Sequence, residues 1–158
     1  MKYLDALIIG AGFSGLYQLH CLRDKLKLNT LVVEEGKDIG GTWYWNTYPG
    51  ARCDSESFTY GFTFSEKIFK NWTWKERYPK QNVILKYLKY FSNELKLKKN
   101  IVFNEKVISA KYIEKNNLWK VQTNNKKKYY AKYLICAVGS LSSINLPKIK
   151  GINQFKGQ

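Results

Sequence analysis

Short apolar runs alternate along this chain with glycines and with stretches in which apolar residues recur every three or four positions. The first run, Leu4–Ile9, has the length of a strand buried in a parallel sheet. Three glycines follow it, and apolar residues then recur at helical spacing, at Leu16, Leu19, Leu22 and Leu26. A second apolar run, Thr30–Val33, predicts another strand. The beginning of the chain therefore predicts a strand, a tight glycine turn, a helix and a second strand.

The remaining pattern predicts one long helix and several strands. Residues 81–97 place Ile84, Leu88, Phe91 and Leu95 on one helix face, with lysines opposite. Ser65 is expected to cap a short helix that carries Ile68 and Phe69. Strands are predicted over 101–103, over 106–114, 118–123 and 126–131 as a three-stranded antiparallel meander, and over 133–138 as a buried strand. This order indicates an α/β, Rossmann-like domain whose parallel sheet carries a β-meander.

The glycine turn has the GxGxxG spacing of a dinucleotide-binding site. Gly10 permits the sharp turn, Gly12 lets the backbone approach phosphates, and Gly15 lets the helix pack closely on the strand. The start of the helix offers free N–H groups and the positive end of its dipole to a pyrophosphate. Glu34 lies 19 residues after Gly15, the spacing of an acid that accepts hydrogen bonds from a ribose. Because this carboxylate would repel a 2′-phosphate, FAD and NAD remain candidate ligands and NADP is disfavoured.

An aromatic loop bounded by glycines, residues 40–57, follows with the sequence GGTWYWNTYPGARCDSES. Its aromatic residues are too dense for an ordinary solvated loop, and aromatic faces can wall a flat ring system. Arg52 is a candidate partner for an anion, and Asp54 is a candidate charge near a reactive ring. Composition alone is equally compatible with a loop whose aromatic side chains fill the core beside the sheet.

Three segments together carry a resemblance to a known family. Their sequences are DALIIGAGFSGLYQLHCLRD, VVEEGKDIGGTWYWNTYPGARCDSES and SFTYGFTFSE. They resemble the N-terminal FAD domain of class B flavoprotein monooxygenases, and most closely the Baeyer–Villiger monooxygenases that act on cyclohexanone and phenylacetone. The likeness extends over essentially all 158 residues. The fold that it implies is a Rossmann-like domain of the two-dinucleotide-binding flavoprotein type.

The resemblance also implies where FAD would lie. The adenosine would lie over Gly10–Gly15 and Glu34, the pyrophosphate by the backbone of Gly41–Trp43, and the isoalloxazine near the aromatic loop. Asp54 is the implied catalytic residue, because the matching acid lies beside the flavin and helps to place an arginine from a later part of the chain. Glu35 is counted among the candidate contacts, although a solvated position is the simpler expectation. The complete set of implied cofactor contacts is Gly10, Gly12, Phe13, Ser14, Gly15, Glu34, Glu35, Gly41, Thr42, Trp43, Trp45, Tyr48, Asp54, Tyr60, Val107, Ala137 and Gly139.

The reaction implied by the resemblance is the NADPH-dependent insertion of one oxygen atom of O2 into a ketone, which gives an ester or a lactone. A family motif that begins Phe-x-Gly matches Phe155–Gly157, and no second glycine fingerprint for NADPH is present in the sequence. We therefore expect residues 1–158 to be a truncated FAD-binding domain, inactive alone, that lacks the NADPH-binding domain. Two alternatives remain: a flavin-containing or N-hydroxylating monooxygenase that oxidises nitrogen or sulfur, and a non-catalytic FAD-binding module.

Charge and cysteine content change this interpretation little. The net charge is +15, but only three of the 27 basic residues are arginines, and the lysines are dispersed, so a nucleic-acid partner is not expected. Cys21, Cys53 and Cys136 form no CxxC pair and predict reduced thiols in the cytoplasm, with Cys21 and Cys136 in the core. The single histidine, His20, makes a metal site improbable. There is no convincing leader and no run of about 20 apolar residues, so no membrane span is expected.

Overall fold

One six-stranded sheet organises the protein, which a computed structural model describes over residues 3–143 and 145–157. The strands are β1 (Tyr3–Ile9), β2 (Thr30–Val33), β3 (Ile101–Val102), β4 (Val107–Ile113), β5 (Leu118–Thr123) and β6 (Lys128–Cys136). Their spatial order is β3-β2-β1-β6-β5-β4. β1 lies parallel to β2 and β6, and β2 lies parallel to β3, whereas β4, β5 and β6 pair in antiparallel fashion. The predicted Rossmann-like sheet with a three-stranded meander is confirmed.

Strand β6 belongs both to the parallel part of the sheet and to the antiparallel meander. Ala131 pairs with Leu4 of β1 on one side and with Trp119 of β5 on the other. The predicted division into strands over 126–131 and 133–138 is therefore wrong, because no glycine or proline interrupts the extended run. The expectation of burial is also wrong at Cys136, which is exposed. Side chains alternate across a strand, and Ile135 is the neighbour that packs against the core.

The helix after the glycine turn changes its winding halfway along. The α-helix α1 (Phe13–Leu19) continues as a π-helical segment (His20–Lys25), in which the Leu26 amide donates to the Cys21 carbonyl oxygen at 3.0 Å. The wider π-helical turn rotates the residues that follow it. Leu26 is exposed as a result, although its spacing predicts that it shares the buried face of Leu16 and Leu19.

Three further α-helices lie between the two parts of the chain that form the sheet: α2 (Thr42–Trp45), α3 (Glu66–Lys70) and α4 (Gln81–Glu94). Short 3-10 turns cover Leu97–Asn100, Glu114–Asn116 and Ile152–Gln154. The Ser65 side chain caps α3 as predicted, accepting from the Ile68 amide at 3.4 Å. Ile68 is buried but Phe69 is exposed, so one of the two predicted apolar residues reaches the core.

The main core fills the space between the sheet and helices α1 and α4. The predicted apolar face of α4 packs into this core. The ring of His20 stacks on Phe64 with centroids 4.8 Å apart. Its fully buried side chains include Leu16, Leu19, Ile84, Leu88 and Phe91. A smaller cluster lies beneath the meander and consists of Leu4, Leu7, Val33, Val121 and Ala131. Within the described part of the chain, no helix combines the length and apolar character needed to cross a membrane.

Candidate functional site

The glycine turn and the aromatic loop meet where β1 ends. A Cβ on Gly41 would lie 2.9 Å from the Gly12 Cα, and a Cβ on Gly12 would lie 3.4 Å from the Gly41 Cα. Gly41 has φ +54° and ψ −123°, a conformation that residues with a side chain rarely adopt. The Gly40 amide also donates to the Ala11 carbonyl oxygen at 3.0 Å. Two stretches of backbone without side chains thus lie in direct contact at the start of α1. We call the backbone surface that they form the Gly12–Gly41 cleft.

The turn also packs directly against the end of β6. A Cβ on Gly10 would lie 2.6 Å from the Ala137 carbonyl oxygen, and a Cβ on Gly15 would overlap the carbonyl oxygen of Gly10. The Ala137 amide donates to the Ile9 carbonyl oxygen at 2.9 Å. The return of the chain at Ala137–Gly139, which the resemblance places near the cofactor, therefore reaches the glycine turn.

Glu34 comes directly after β2 and is only 5% exposed. Its Oε2 accepts a hydrogen bond from the Ala11 amide at 2.6 Å, and its Oε1 accepts one from the Gly36 amide at 2.7 Å. A carboxylate oxygen can accept two hydrogen bonds, so each oxygen has capacity for one more. The carboxylate lies beside the glycine turn, as its spacing predicts.

Glu35 has a different environment from its neighbour. Its side chain is about half exposed, and its Oε1 lies 2.9 Å from the Lys106 Nζ. The structure therefore places it on the surface, which is the simpler of the two expectations. It is well suited as a control for experiments on Glu34.

The aromatic loop divides into a buried part and an exposed part. Trp43 is buried, and its Nε1 donates to the Tyr60 hydroxyl at 3.1 Å. The Tyr60 ring packs edge-on against Phe13 with centroids 5.0 Å apart. Burial raises the pKa of the Tyr60 hydroxyl, nearby Cys53 and Asp54 add to this rise, and the Trp43 hydrogen bond opposes it. Tyr60 is consequently a protonated hydroxyl with a fixed orientation.

The exposed part of the loop holds the residues that resemblance places near a flavin ring. Trp45 is 57% exposed and Tyr48 is 63% exposed, and Asp54 is also on the surface. Arg52 Nη2 lies 3.5 Å from Glu76 Oε2, so this candidate anion partner already has an acidic neighbour. The loop therefore fits both sequence interpretations, since Trp43 fills the core while Trp45 and Tyr48 remain available.

The remaining predicted contacts lie at the starts of two helices and in the meander. Ser14 and Thr42 are exposed at the first turns of α1 and α2. Val107 is half-buried at the start of β4, opposite Thr123 of β5. The structure thus brings the glycine turn, Gly41 and Glu34 into direct contact. Val107 is connected to them only through residues 104–106, whose backbone bonds to Glu34 and Gly36.

Sequence reasoning missed Glu105. Its side chain is fully buried and accepts hydrogen bonds from Thr123 Oγ1 at 2.9 Å, Tyr129 Oη at 2.8 Å and Lys127 Nζ at 3.3 Å. An acid in a short connection between strands normally predicts an exposed turn. Only the pairing of β5 with β6 brings its three donors together, so no local signal in the sequence could have identified it.

This cluster predicts a pH dependence of stability. Burial, followed by the hydrogen bond to Glu105, raises the pKa of Tyr129 above its usual 10.0. The folded state therefore favours the neutral phenol, and this contribution is present below about pH 10 and is lost at higher pH as the unfolded chain ionises first. Tyr129→Phe should lower the free energy of unfolding by about 1.5–3 kcal/mol at neutral pH.

Urea unfolding of both proteins at about pH 8 and about pH 10.5 tests this expectation. The difference between the wild type and Tyr129→Phe should become smaller at the higher pH. Tyr130→Phe, the adjacent position on the other face of β6, is the matched control. A difference that stays constant across the two pH values would contradict the assignment.

The parallel strands, the glycine turn after β1 and the acid after β2 together define a Rossmann-type dinucleotide-binding domain. The family model for pyridine nucleotide-disulphide oxidoreductases matches residues 7–157. The chain therefore belongs to the pyridine nucleotide-disulphide oxidoreductase family.

Individual relatives are consistent with this assignment. A Baeyer-Villiger monooxygenase of Pseudooceanicola batsensis is 44% identical over 98% of the chain and 28% of its own length. Phenazine N-monooxygenase PhzNO1 of Lysobacter antibioticus is 40% identical over 99% of the chain and 29% of its own length. The crystal structure of cyclohexanone monooxygenase from Rhodococcus sp. Phi1 bound to NADP+ superposes with a TM-score of 0.92 at 41% identity, over 99% of the chain and 30% of that protein.

These matches confirm the resemblance to Baeyer–Villiger monooxygenases and the Rossmann-like fold. They also set the scale of the comparison, because the chain spans less than a third of the length of these relatives.

Proposed function

We propose that this chain is the FAD-binding part of an NADPH-dependent flavoprotein monooxygenase that inserts one oxygen atom of O2 into ketones to give esters or lactones. The observation that carries the proposal is the Gly12–Gly41 cleft beside the buried Glu34, in a chain that matches ketone monooxygenases over nearly its whole length. Bound FAD would supply the redox chemistry, and the residues of this chain would bind and orient it.

The residues at the cleft fit FAD. Backbone without side chains lines the place where a pyrophosphate needs to approach, and the first amides of α1 lack partners within the helix. Glu34 keeps one acceptor position on each oxygen, which suits the two hydroxyls of a ribose. We propose the residues named for the cofactor in the sequence analysis as its contacts, except Glu35, which the ion pair with Lys106 holds on the surface.

The exposed part of the aromatic loop is the proposed flavin end of the site. Trp45 and Tyr48 present apolar faces that would exclude water from one side of a ring system. Tyr60 would offer a protonated hydroxyl held in place by Trp43. Asp54 is the proposed catalytic residue, since its exposed carboxylate can keep a negative charge near the ring and pair with an arginine from another part of the protein.

In this proposal, FAD binds to residues 1–158 and NADPH binds to another part of the protein. A chimera tests it, in which this chain replaces the matching part of the Rhodococcus cyclohexanone monooxygenase. We expect the chimera to consume NADPH and form lactone from cyclohexanone, and the 158-residue chain alone to bind FAD without turnover. A folded, FAD-loaded chimera that makes no lactone would favour a non-catalytic module.

Oxidation of nitrogen is the second candidate, because one relative is named a phenazine N-monooxygenase. Supplying the same chimera with phenazine and with cyclohexanone, and identifying the products, compares the two reactions directly. A chimera that oxidises phenazine and leaves cyclohexanone unchanged would support the second candidate.

Gly12→Ala tests the cleft itself. The added Cβ would lie 3.4 Å from the Gly41 Cα, so the fold should accommodate it, but the methyl group would press the two backbones apart where a pyrophosphate needs to approach both of them. We expect an FAD affinity about 100-fold lower, which corresponds to about 2.7 kcal/mol. Flavin fluorescence titration measures it.

Gly61→Ala is the matched control for this variant. Its added Cβ would lie 3.3 Å from the Tyr87 hydroxyl oxygen, a contact as close as that of Gly12→Ala, but outside the cleft. The control should bind FAD like the wild type. Equal affinities for Gly12→Ala and Gly61→Ala would count against a cofactor in the cleft.

Two further aspects belong to the same proposal. A cytoplasmic location is supported by Cys21, Cys53 and Cys136, which are free thiols. The proposed partners are small molecules, not nucleic acid, because lysines are dispersed over the surface and several pair with acids, such as Lys67 with Glu94 and Lys89 with Asp38.

A further inference from the structure

Glu105 lies between the meander and the loop that carries Glu34. All three donors to its carboxylate come from the meander side: Thr123 ends β5, Lys127 lies in the following hairpin, and Tyr129 lies in β6. Burying a carboxylate is costly unless hydrogen bonds compensate it. An apolar side chain could fill the same space without that cost.

The backbone of Glu105 bonds in the opposite direction. Its amide donates to the Glu34 carbonyl oxygen at 2.9 Å, and the Asn104 amide donates to the Gly36 carbonyl oxygen at 3.0 Å. The Gly36 amide in turn donates to the Glu34 carboxylate at 2.7 Å. A shift of the 104–105 backbone would therefore reach Glu34 by two routes, directly at its carbonyl oxygen and through Gly36 at its carboxylate.

The hairpin between β5 and β6 also hydrogen-bonds to residues 104–106. The Lys106 amide donates to Asn124 Oδ1 at 2.9 Å, and Asn125 Nδ2 donates to the Asn104 carbonyl oxygen at 3.1 Å. Residues 104–106 thus form a strap between the hairpin and the Glu34 loop. The buried Glu105 carboxylate is the part of this strap that anchors it within the protein interior.

We propose that Glu105 is a positioning residue for the adenosine end of the cofactor site, holding the Glu34 carboxylate in place through the 104–106 strap. This inference rests on the proposed function. It assigns a role to a residue that touches neither the Gly12–Gly41 cleft nor the Glu34 side chain. Because the link runs through Glu34, the effects of changing the two acids should not add.

The first test uses the chain without any cofactor and compares Glu105→Gln with the wild type. Amide hydrogen exchange is measured at Ala11 and Gly36, the two donors to the Glu34 carboxylate. We expect exchange at both amides to become about tenfold faster under conditions in which the protein stays folded. Val121→Ala is the control, since it weakens the apolar cluster beneath the meander and removes none of the hydrogen bonds of Glu105. It should leave exchange at the two amides unchanged relative to global opening.

The second test measures binding of FAD and of ADP, which contains the adenosine and pyrophosphate but no flavin. Glu105→Gln should weaken both ligands about tenfold. In a Glu34→Gln background it should cause no further loss, whereas in a Glu35→Gln background the whole loss should remain. Tyr129→Phe, which removes one donor and keeps the carboxylate, should shift affinity and exchange in the same direction by about threefold.

The outcomes separate this inference from the proposed function. Unchanged exchange at Ala11 and Gly36 in Glu105→Gln would overturn the positioning role, as would losses of affinity that add fully to those of Glu34→Gln. If the wild type binds neither FAD nor ADP, the proposed function fails, and the exchange experiment still decides whether Glu105 orders the Glu34 carboxylate.

Discussion

Gly15→Ala should severely destabilise the whole domain. The new Cβ would overlap the carbonyl oxygen of Gly10 and would lie 3.5 Å from the Ala137 side chain. The overlapping atom is backbone, so relief requires α1 to move away from β1, which opens the main core. We expect a loss of more than about 4 kcal/mol, a large part of the 5–15 kcal/mol that stabilises a typical domain. Circular dichroism and urea unfolding measure the loss.

Gly50→Ala is the matched control for this variant. Gly50 has φ +80°, so alanine strains the backbone there, but no atom lies within 4 Å of the added Cβ. Its cost should stay near 1–2 kcal/mol, the usual penalty for a left-handed residue with a side chain. If both variants unfold at the same urea concentration, the close approach of α1 to β1 is not what requires a glycine at position 15.

Glu34→Gln should weaken both the fold and the affinity for the cofactor. The glutamine keeps one acceptor oxygen but turns an NH2 group toward either the Ala11 or the Gly36 amide, each of which now donates to a carboxylate oxygen. Losing one charge-assisted bond should cost about 1.5–3 kcal/mol of stability. The loss of the charge that would accept from a ribose should lower FAD affinity by a further factor of about 10–100.

Glu35→Gln is the natural comparison, because it removes the same charge one residue away on an exposed side chain. Its surface ion pair with Lys106 should contribute at most about 1 kcal/mol, and FAD affinity should not change. Isothermal titration with FAD, together with urea unfolding of both variants, separates binding from stability. Equal FAD affinities for the two variants would remove Glu34 from the proposed site.

Local periodicity was sufficient for most of the fold. The run Leu4–Ile9, the strand Thr30–Val33 and the buried face of α4 all follow from patterns that a short window contains. The continuity of β6 does not, because its two halves pair with different strands and the sequence between them carries no distinguishing mark. The π-helical segment after α1 is equally hidden, since the leucine spacing fits an ordinary α-helix.

The candidate site shows the same contrast. The spacing of Gly15 and Glu34 predicts their proximity, because in this type of unit the first turn and the end of the second strand lie side by side. The separation of Trp43 from Trp45 and Tyr48 depends on which side of α2 faces the core, and loop composition cannot show that. Glu105 depends on the pairing of distant strands, so it could be found only in three dimensions.

Because strand β6 pairs with both β1 and β5, it also determines how the domain unfolds. Since β6 supplies the antiparallel neighbour of β5 and the parallel neighbour of β1, the meander cannot melt away while the nucleotide-binding half stays intact. Denaturation should accordingly be cooperative across both halves, with a single transition, and heat or urea that loosens the hairpin will release the ligand at the same midpoint.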